Sequence, residues 1–194
     1  VGPAVRLRAE DGGAVLRAAG LFRTAFGGAM ELVLQATGAE GTYDGTLSID
    51  SPRLRDAPVM AELLNLISVV GLLEQLSGDG INLGEVDASF RLTPTRLILA
   101  EGTAVGPSLG VSMDGTYTLA TRELDMQGVI SPLYIVNGLV GALFAPRGEG
   151  LFGFSYSLTG RSENPQVFVN PLSILTPGVF REIFRRPPPD LTGN

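Results

Sequence analysis

The sequence predicts a mainly β protein: an antiparallel sheet laid down as a meander, with one long amphipathic helix and two or three short ones. Three observations predict it. Apolar residues recur at every second position over several long runs, the period at which side chains alternate between the faces of a strand. The breaks between runs, Pro94-Thr95, Gly106-Pro107 and Ala120-Thr121, are too short for parallel crossovers and imply hairpins. The 194 residues include 26 Gly and 13 Pro, far more turn-formers than a helical bundle tolerates, and 44% are hydrophobic, enough for a sizeable core.

The clearest strands lie in the second half. Val86, Ala88, Phe90 and Leu92 alternate with Glu85, Asp87, Ser89 and Arg91. Val111, Met113, Gly115, Tyr117 and Leu119 form the apolar side of the next run, against Ser112, Asp114, Thr116 and Thr118. Leu124, Met126, Gly128 and Ile130 follow, then Phe152, Phe154, Tyr156 and Leu158. Shorter strands are expected at 5–9, 15–18, 30–36, 43–49, 97–101 and 166–169. The polar sides of these runs, with Asp87, Asp114, Glu123 and Asp125, read as water-facing.

Three stretches break the alternation. Ala57 to Ser77 has helical length without an internal Pro, and Asn65, Ser68, Gly71 and Gln75 gather on one side of a helical wheel. A helix of this length, about 30 Å, would match a bilayer core, but Glu62 and Glu74 fall toward its apolar side and disfavour spanning. It is therefore expected to lie on the apolar face of the sheet. Ser131-Pro132 and Thr176-Pro177 each place a capping hydroxyl before a proline at the first helical position, predicting two short helices, and Asn170-Pro171 opens a single turn. In the last helix Val179, Phe180, Ile183 and Phe184 share a face, with Arg185 and Arg186 at its negative end. Residues 1–186 are expected to form one domain, followed by a Pro-rich flexible tail over 187–194. The chain starts at Val1 directly on strand-like alternation and reads as a piece of a longer protein.

Composition narrows the chemistry. The sequence has no His, Cys, Trp or Lys, so all 14 basic residues are Arg. Triads, thiol nucleophiles, Schiff bases and imidazole or thiolate metal sites are unavailable. A net charge of −6 argues against nucleic acid as a partner. Gly148-Glu149-Gly150-Leu151-Phe152-Gly153 matches the dinucleotide fingerprint in letters only, because it leads into a strand and the fingerprint must open a helix. Asp79, Asn82, Glu85 and Asp87 lack EF-hand spacing and read as a solvated loop. No two carboxylates stand out as a glycosidase-type pair. The sequence yields no catalytic residue, cofactor or metal ligand.

One stretch carries a resemblance. Pro146, Gly150, Phe154, Tyr156 and Gly160, then Asn164-Pro165, Val167, Val169-Asn170-Pro171-Leu172-Ser173 and Pro177-Gly178 with Arg181 and Phe184, follow a pattern that resembles the end of the AsmA-like C-terminal domain of large bacterial envelope proteins of the AsmA, TamB and YhdP type. Upstream, Asp114-Gly115-Thr116-Tyr117, Leu119, Leu124-Asp125, Gly128 and Pro132 fit the same family, with Ala120 in place of its usual acidic residue. The likeness is good over 83–186 and only textural before that. It implies a sheet curved into an open or taco-like groove, in a periplasmic part of an inner-membrane-anchored protein, the anchor lying outside this chain, whose apolar groove carries phospholipid between the inner and outer membranes. Phe90, Leu92, Val111, Met113, Tyr117, Leu119, Leu124, Met126, Ile130, Phe152, Phe154 and Tyr156 are then the groove candidates. Leu63, Ile67, Val70, Leu73, Val179, Phe180, Ile183, Phe184, Arg185 and Arg186 are candidates for groove-end or membrane-surface contact. Strands about 4.8 Å apart would let an acyl tail of about 15 Å lie across three of them. The alternative is a structural or assembly module of the envelope, its apolar face an ordinary core and its partner a protein.

Overall fold

A computed structural model describes residues 3–20, 22–67, 70–132, 153–170, 172–173, 186–189 and 191. The chain is mainly β. Nine strands form one antiparallel sheet: β1 (Ala4–Ala9), β3 (Ala29–Ala36), β4 (Tyr43–Asp50), β7 (Glu85–Leu92), β8 (Arg96–Val105), β9 (Leu109–Thr118), β10 (Glu123–Pro132), β11 (Phe154–Arg161) and β12 (Gln166–Asn170), in that spatial order. Three two-residue strands, β2 (Ala25–Phe26), β5 (Arg53–Leu54) and β6 (Ile81–Asn82), make a second, small sheet. Among the described residues β1 and β12 remain its two edges, so the large sheet is not closed.

Register converts the alternation of each strand into one continuous face. Leu7, Leu32, Leu47 and Ala88 lie side by side across the first four strands. Leu97, Tyr117 and Leu124 continue it across β8 to β10, and Met126 and Leu158 across β10 and β11. A register shift at Ser89/Phe90 against Leu99 to Gly102 is absorbed without exchanging the faces, because Phe90 still meets Leu99. The opposite face carries cross-strand ion pairs, Arg8 with Glu31 at 2.7 Å and Arg91 with Asp44 at 2.7 Å.

Glycines on the apolar face serve as seats for large neighbours. The Phe90 ring lies over Gly45, where a Cβ would come within 2.3 Å of it. Tyr156 lies over Gly128 and donates its hydroxyl to the Ser112 carbonyl at 2.9 Å. Gly115, at φ +141, has Met126 Sδ at 2.9 Å from a notional Cβ. The large side chains thus lie flat across the sheet, which keeps the face thin.

The two ends of the strands differ. Short hairpins join β3 to β4, β7 to β8, β9 to β10 and β11 to β12 at one end. At the other end sit α1 (Gly12–Ala18), the small sheet, α2 (Pro58–Leu66) and α3 (Val70–Ser77). Here the core closes: Leu54, Leu63, Leu64, Ile67, Leu72, Leu76 and Ile81 meet Leu109, Ile130 and Tyr156 of the large sheet. Each such fully buried aliphatic side chain contributes about 1.5–3 kcal/mol.

Several expectations are corrected. Residues 15–18 form part of α1, because the Asp11 carboxylate caps it by accepting from the N–H groups of Ala14 at 2.8 Å and Gly27 at 2.9 Å. Gly13 lets this helix approach the Phe26 backbone so closely that a Cβ would lie 2.5 Å from it. The span 57–77 holds two helices in place of one. α2 ends at Ile67, whose φ of −97 and ψ of 6 leave the helical region, and both pieces bury apolar residues in the same cluster. This re-phasing leaves Glu62 and Glu74 exposed, away from the apolar side. Ser131 and Pro132 finish β10, and the helix expected after them lies outside the described residues, as do Thr176-Pro177 and the helix expected to follow. Asn170 does act as a cap, accepting from the Leu172 N–H at 3.1 Å.

Replacing Gly128 by Ala should destabilise the chain by about 1–3 kcal/mol, the range for an overfilled core site, since its Cβ would meet the Ser112 oxygen at 1.9 Å and the Tyr156 hydroxyl at 2.7 Å. Chemical denaturation of the variant against the wild type reads this crowding without a contribution from left-handed backbone strain, because Gly128 is not among the positive-φ glycines.

Candidate functional site

Two surfaces are candidates, and they lie on opposite faces of the large sheet. The apolar face comes first. Register brings Phe90, Leu92, Val111, Met113, Tyr117, Leu124, Met126, Ile130, Phe154 and Tyr156 onto it together. Leu119 sits in the hairpin beyond β9 and is 39% exposed. Phe152 lies outside the described residues, as do Val179, Phe180, Ile183, Phe184 and Arg185.

Burial divides these candidates. Ile130 and Tyr156 belong to the closed core under α2 and α3, and Met126 is also buried. A ligand reaching the face would not touch them. Leu92, Tyr117 and Leu124, toward the hairpin end, stay half-buried. The same condition holds for residues outside the candidate set: Leu32, Leu34, Leu47, Leu97 and Leu99 share the face and are also only half-buried, and Val5 and Leu7 at the β1 edge are about half exposed (50% and 49%). Their signal was partly masked, because Leu32-Val33-Leu34 and Leu97-Ile98-Leu99 are unbroken apolar runs that blur the alternation.

The groove-end candidates fall where the core closes. Leu63 and Ile67 of α2 are buried in the cluster and Leu73 of α3 packs against it, while Val70 opens α3. These helices therefore spend their apolar sides on the sheet. Among the described residues no helix is long and apolar enough to cross a membrane.

The polar face holds the second surface. Near β3, β4, β7 and β8 it dips into a shallow depression of about 500 Å³ lined by Glu31, Ser48, Asp87 and Glu101 among others. Further along, β9 and β10 are covered. Asp114, expected to face water, is only 2% exposed, and Gln127 beside it 7%. The Gln127 amide nitrogen donates to Asp114 Oδ2 at 2.9 Å and to the Arg186 carbonyl at 2.6 Å, and its oxygen accepts from the Arg186 N–H at 3.0 Å. The Arg186 guanidinium then forks onto both Asp125 oxygens at 2.9 and 2.6 Å. Arg186, a membrane-contact candidate by sequence, has its charge engaged on the protein itself. Alternation could not reveal this, since it separates two faces without saying what covers either.

Chemistry elsewhere is sparse. Among the described residues no three carboxylates gather as a metal site. The residues read from sequence as a solvated loop are largely strand: Asn82 ends β6 and accepts from the Gly84 N–H at 2.7 Å, closing a tight turn, and Glu85 and Asp87 belong to β7. Comparisons of the chain with protein-family models, with curated proteins and with solved structures found no match.

The Arg186 contact has a pH signature. The hydrogen bonds from the guanidinium hold the Asp125 carboxyl below its ordinary value, against a smaller opposing effect of burial. A carboxyl lowered in the folded state contributes stability that is present above its unfolded pKa of about 3.9 and lost as pH falls through the folded value. Both partners are more than half exposed, at 51% and 59%, so the contribution is at most about 1 kcal/mol. Titrating the wild type and Asp125→Asn by denaturation from pH 6 to pH 2 should show the variant's deficit shrinking as the medium acidifies.

Proposed function

We propose that this chain is a non-enzymatic, lipid-handling segment of a bridge-like envelope protein, in which the apolar sheet face holds phospholipid acyl chains. The observation that carries the reading is one contiguous apolar face across nine strands, shut by helices at one strand end and half-exposed toward the other. A sheet face that leaves aliphatic residues from several adjacent strands in partial contact with water is a poor ordinary core. It suits a ligand that is itself apolar, flexible and weakly oriented. Met113 and Tyr117 add a soft contact and a flat one. In this reading α2 and α3 plug the groove end, and the AsmA-like resemblance supplies the setting, an inner-membrane-anchored protein crossing the periplasm between the two membranes.

A second reading, a structural or assembly module with a protein partner, is favoured by the edges. β1 and β12 pair on one side only among the described residues, and Val5, Leu7 and Phe168 on them are 50%, 49% and 67% exposed. Unpaired edges with exposed apolar residues invite strand addition.

The test is lipid retention. Native mass spectrometry after gentle purification, with titration of a fluorescent phospholipid, should detect bound lipid in the wild type. Leu34→Asp combined with Leu97→Asp should lower retention by about tenfold or more, since each places a charge against the tails, while half-buried positions let the fold survive. A lipid-free wild type that does not take up the probe overturns the proposal and leaves the assembly reading.

A further inference from the structure

The polar face of β9 and β10 holds a group of contacts that neither reading of the apolar face uses. Gln127 and Asp114 are register partners on adjacent strands, and Asp125 lies two residues before Gln127 on the same face. Asp114 is buried and its carboxylate accepts from the Gln127 amide nitrogen, which holds that side chain with its nitrogen toward β9. That orientation leaves one N–H and the oxygen of the amide to meet a peptide unit edge-on. Arg186 supplies the complement: its own N–H and carbonyl both go to Gln127, as in a rung of a β-ladder, and its side chain reaches along β10 to Asp125. An extended backbone is what points both groups of one residue to the same side.

The sequence after Arg186 favours that shape. Pro187 disfavours the helical region for the residue before it, and Pro187, Pro188 and Pro189 have no N–H to satisfy and hold a pre-extended course. The forked contact with Asp125 is one that a lysine would not reproduce, and the chain uses only arginine for positive charge.

We propose that Asp114, Asp125 and Gln127 form a docking site for an extended peptide led by arginine and followed by proline, filled in this chain by its own Arg186–Pro189 segment and exchangeable with the same sequence supplied in trans. Gln127 reads the backbone, Asp125 reads the guanidinium, and Asp114 positions Gln127. The cis segment acts as a resident ligand that keeps the site closed. This stands apart from lipid handling, which concerns the other face.

A labelled peptide of residues 184–189, Phe-Arg-Arg-Pro-Pro-Pro, tests it against the full chain by fluorescence anisotropy. Arg186→Glu sets a like charge against Asp125 and vacates the site without altering it. The peptide should bind this variant at least about tenfold more tightly than the wild type, where the resident segment competes. Adding Asp125→Asn on the exposed rim, or Gln127→Ala, to Arg186→Glu should remove that gain, and a peptide with Glu for its second Arg should not show it. Hydrogen exchange gives the second readout: in Gln127→Ala the Arg186 amide should lose protection while the β9 and β10 ladder amides keep theirs. Equal peptide affinity for wild type, Arg186→Glu and the double variants overturns the proposal, as does an Arg186 amide whose exchange ignores Gln127.

Discussion

Cross-strand register is the constraint on which the rest of this molecule depends. A shift of one residue between any two neighbours of the nine-stranded sheet would carry Leu32, Leu47 or Leu97 to the face that bears Glu31, Asp44 and Arg91, and would split the apolar surface in two. Antiparallel hairpins hold that register, four of them at one strand end and the Gly106 reversal between β8 and β9 at the other. Cross-strand pairs reinforce it on the polar side, where Arg8 meets Glu31 and Arg91 meets Asp44. Where the chain does slip, between β7 and β8, the slip keeps Phe90 opposite Leu99.

From that register follow two further features. Glycines opposite Phe90, Met126 and Tyr156 give those side chains somewhere to lie flat, so the face stays continuous and thin. The β1–β3 and β4–β7 connections, which carry the described helices, leave from the end opposite the four short hairpins, so α1, α2, α3 and the small sheet gather there and close a core around Ile81, Leu109 and Ile130. One strand end is sealed by protein, and the face opens toward the other. The polar face is likewise uneven: a shallow depression over β3 to β8, and a covered strip over β9 and β10 where Arg186 is held.

Much of this was legible in the sequence. The strands around Phe90, Met113, Met126 and Tyr156 lie where alternation puts them, and Pro94, Gly106 and Ala120 mark the reversals. Less legible was anything set by a distant partner. Residues 15–18 have strand-like texture, yet Asp11 caps a helix there by also tying down Gly27, sixteen residues away. The span 57–77 has the periodicity of a single helix, but two shorter ones can each turn an apolar side into one cluster, which carries Glu62 and Glu74 out to water. The candidates Ile130 and Tyr156 share their face with Leu92 and Leu124 but not their burial, since only the former lie under the helices.

Period-two patterning determined by itself that this protein is an antiparallel sheet with one apolar face, and the residue inventory that it has no imidazole, thiol or amine side chain, because alternation and inventory are local properties. Only the tertiary structure decided what lies over each face. Asp114 and Asp87 occupy equivalent polar positions in their strands, yet one is buried beside Gln127 and the other is exposed. Arg186 is brought back over β10 from 61 residues away to meet Asp125, a contact whose geometry no local pattern encodes.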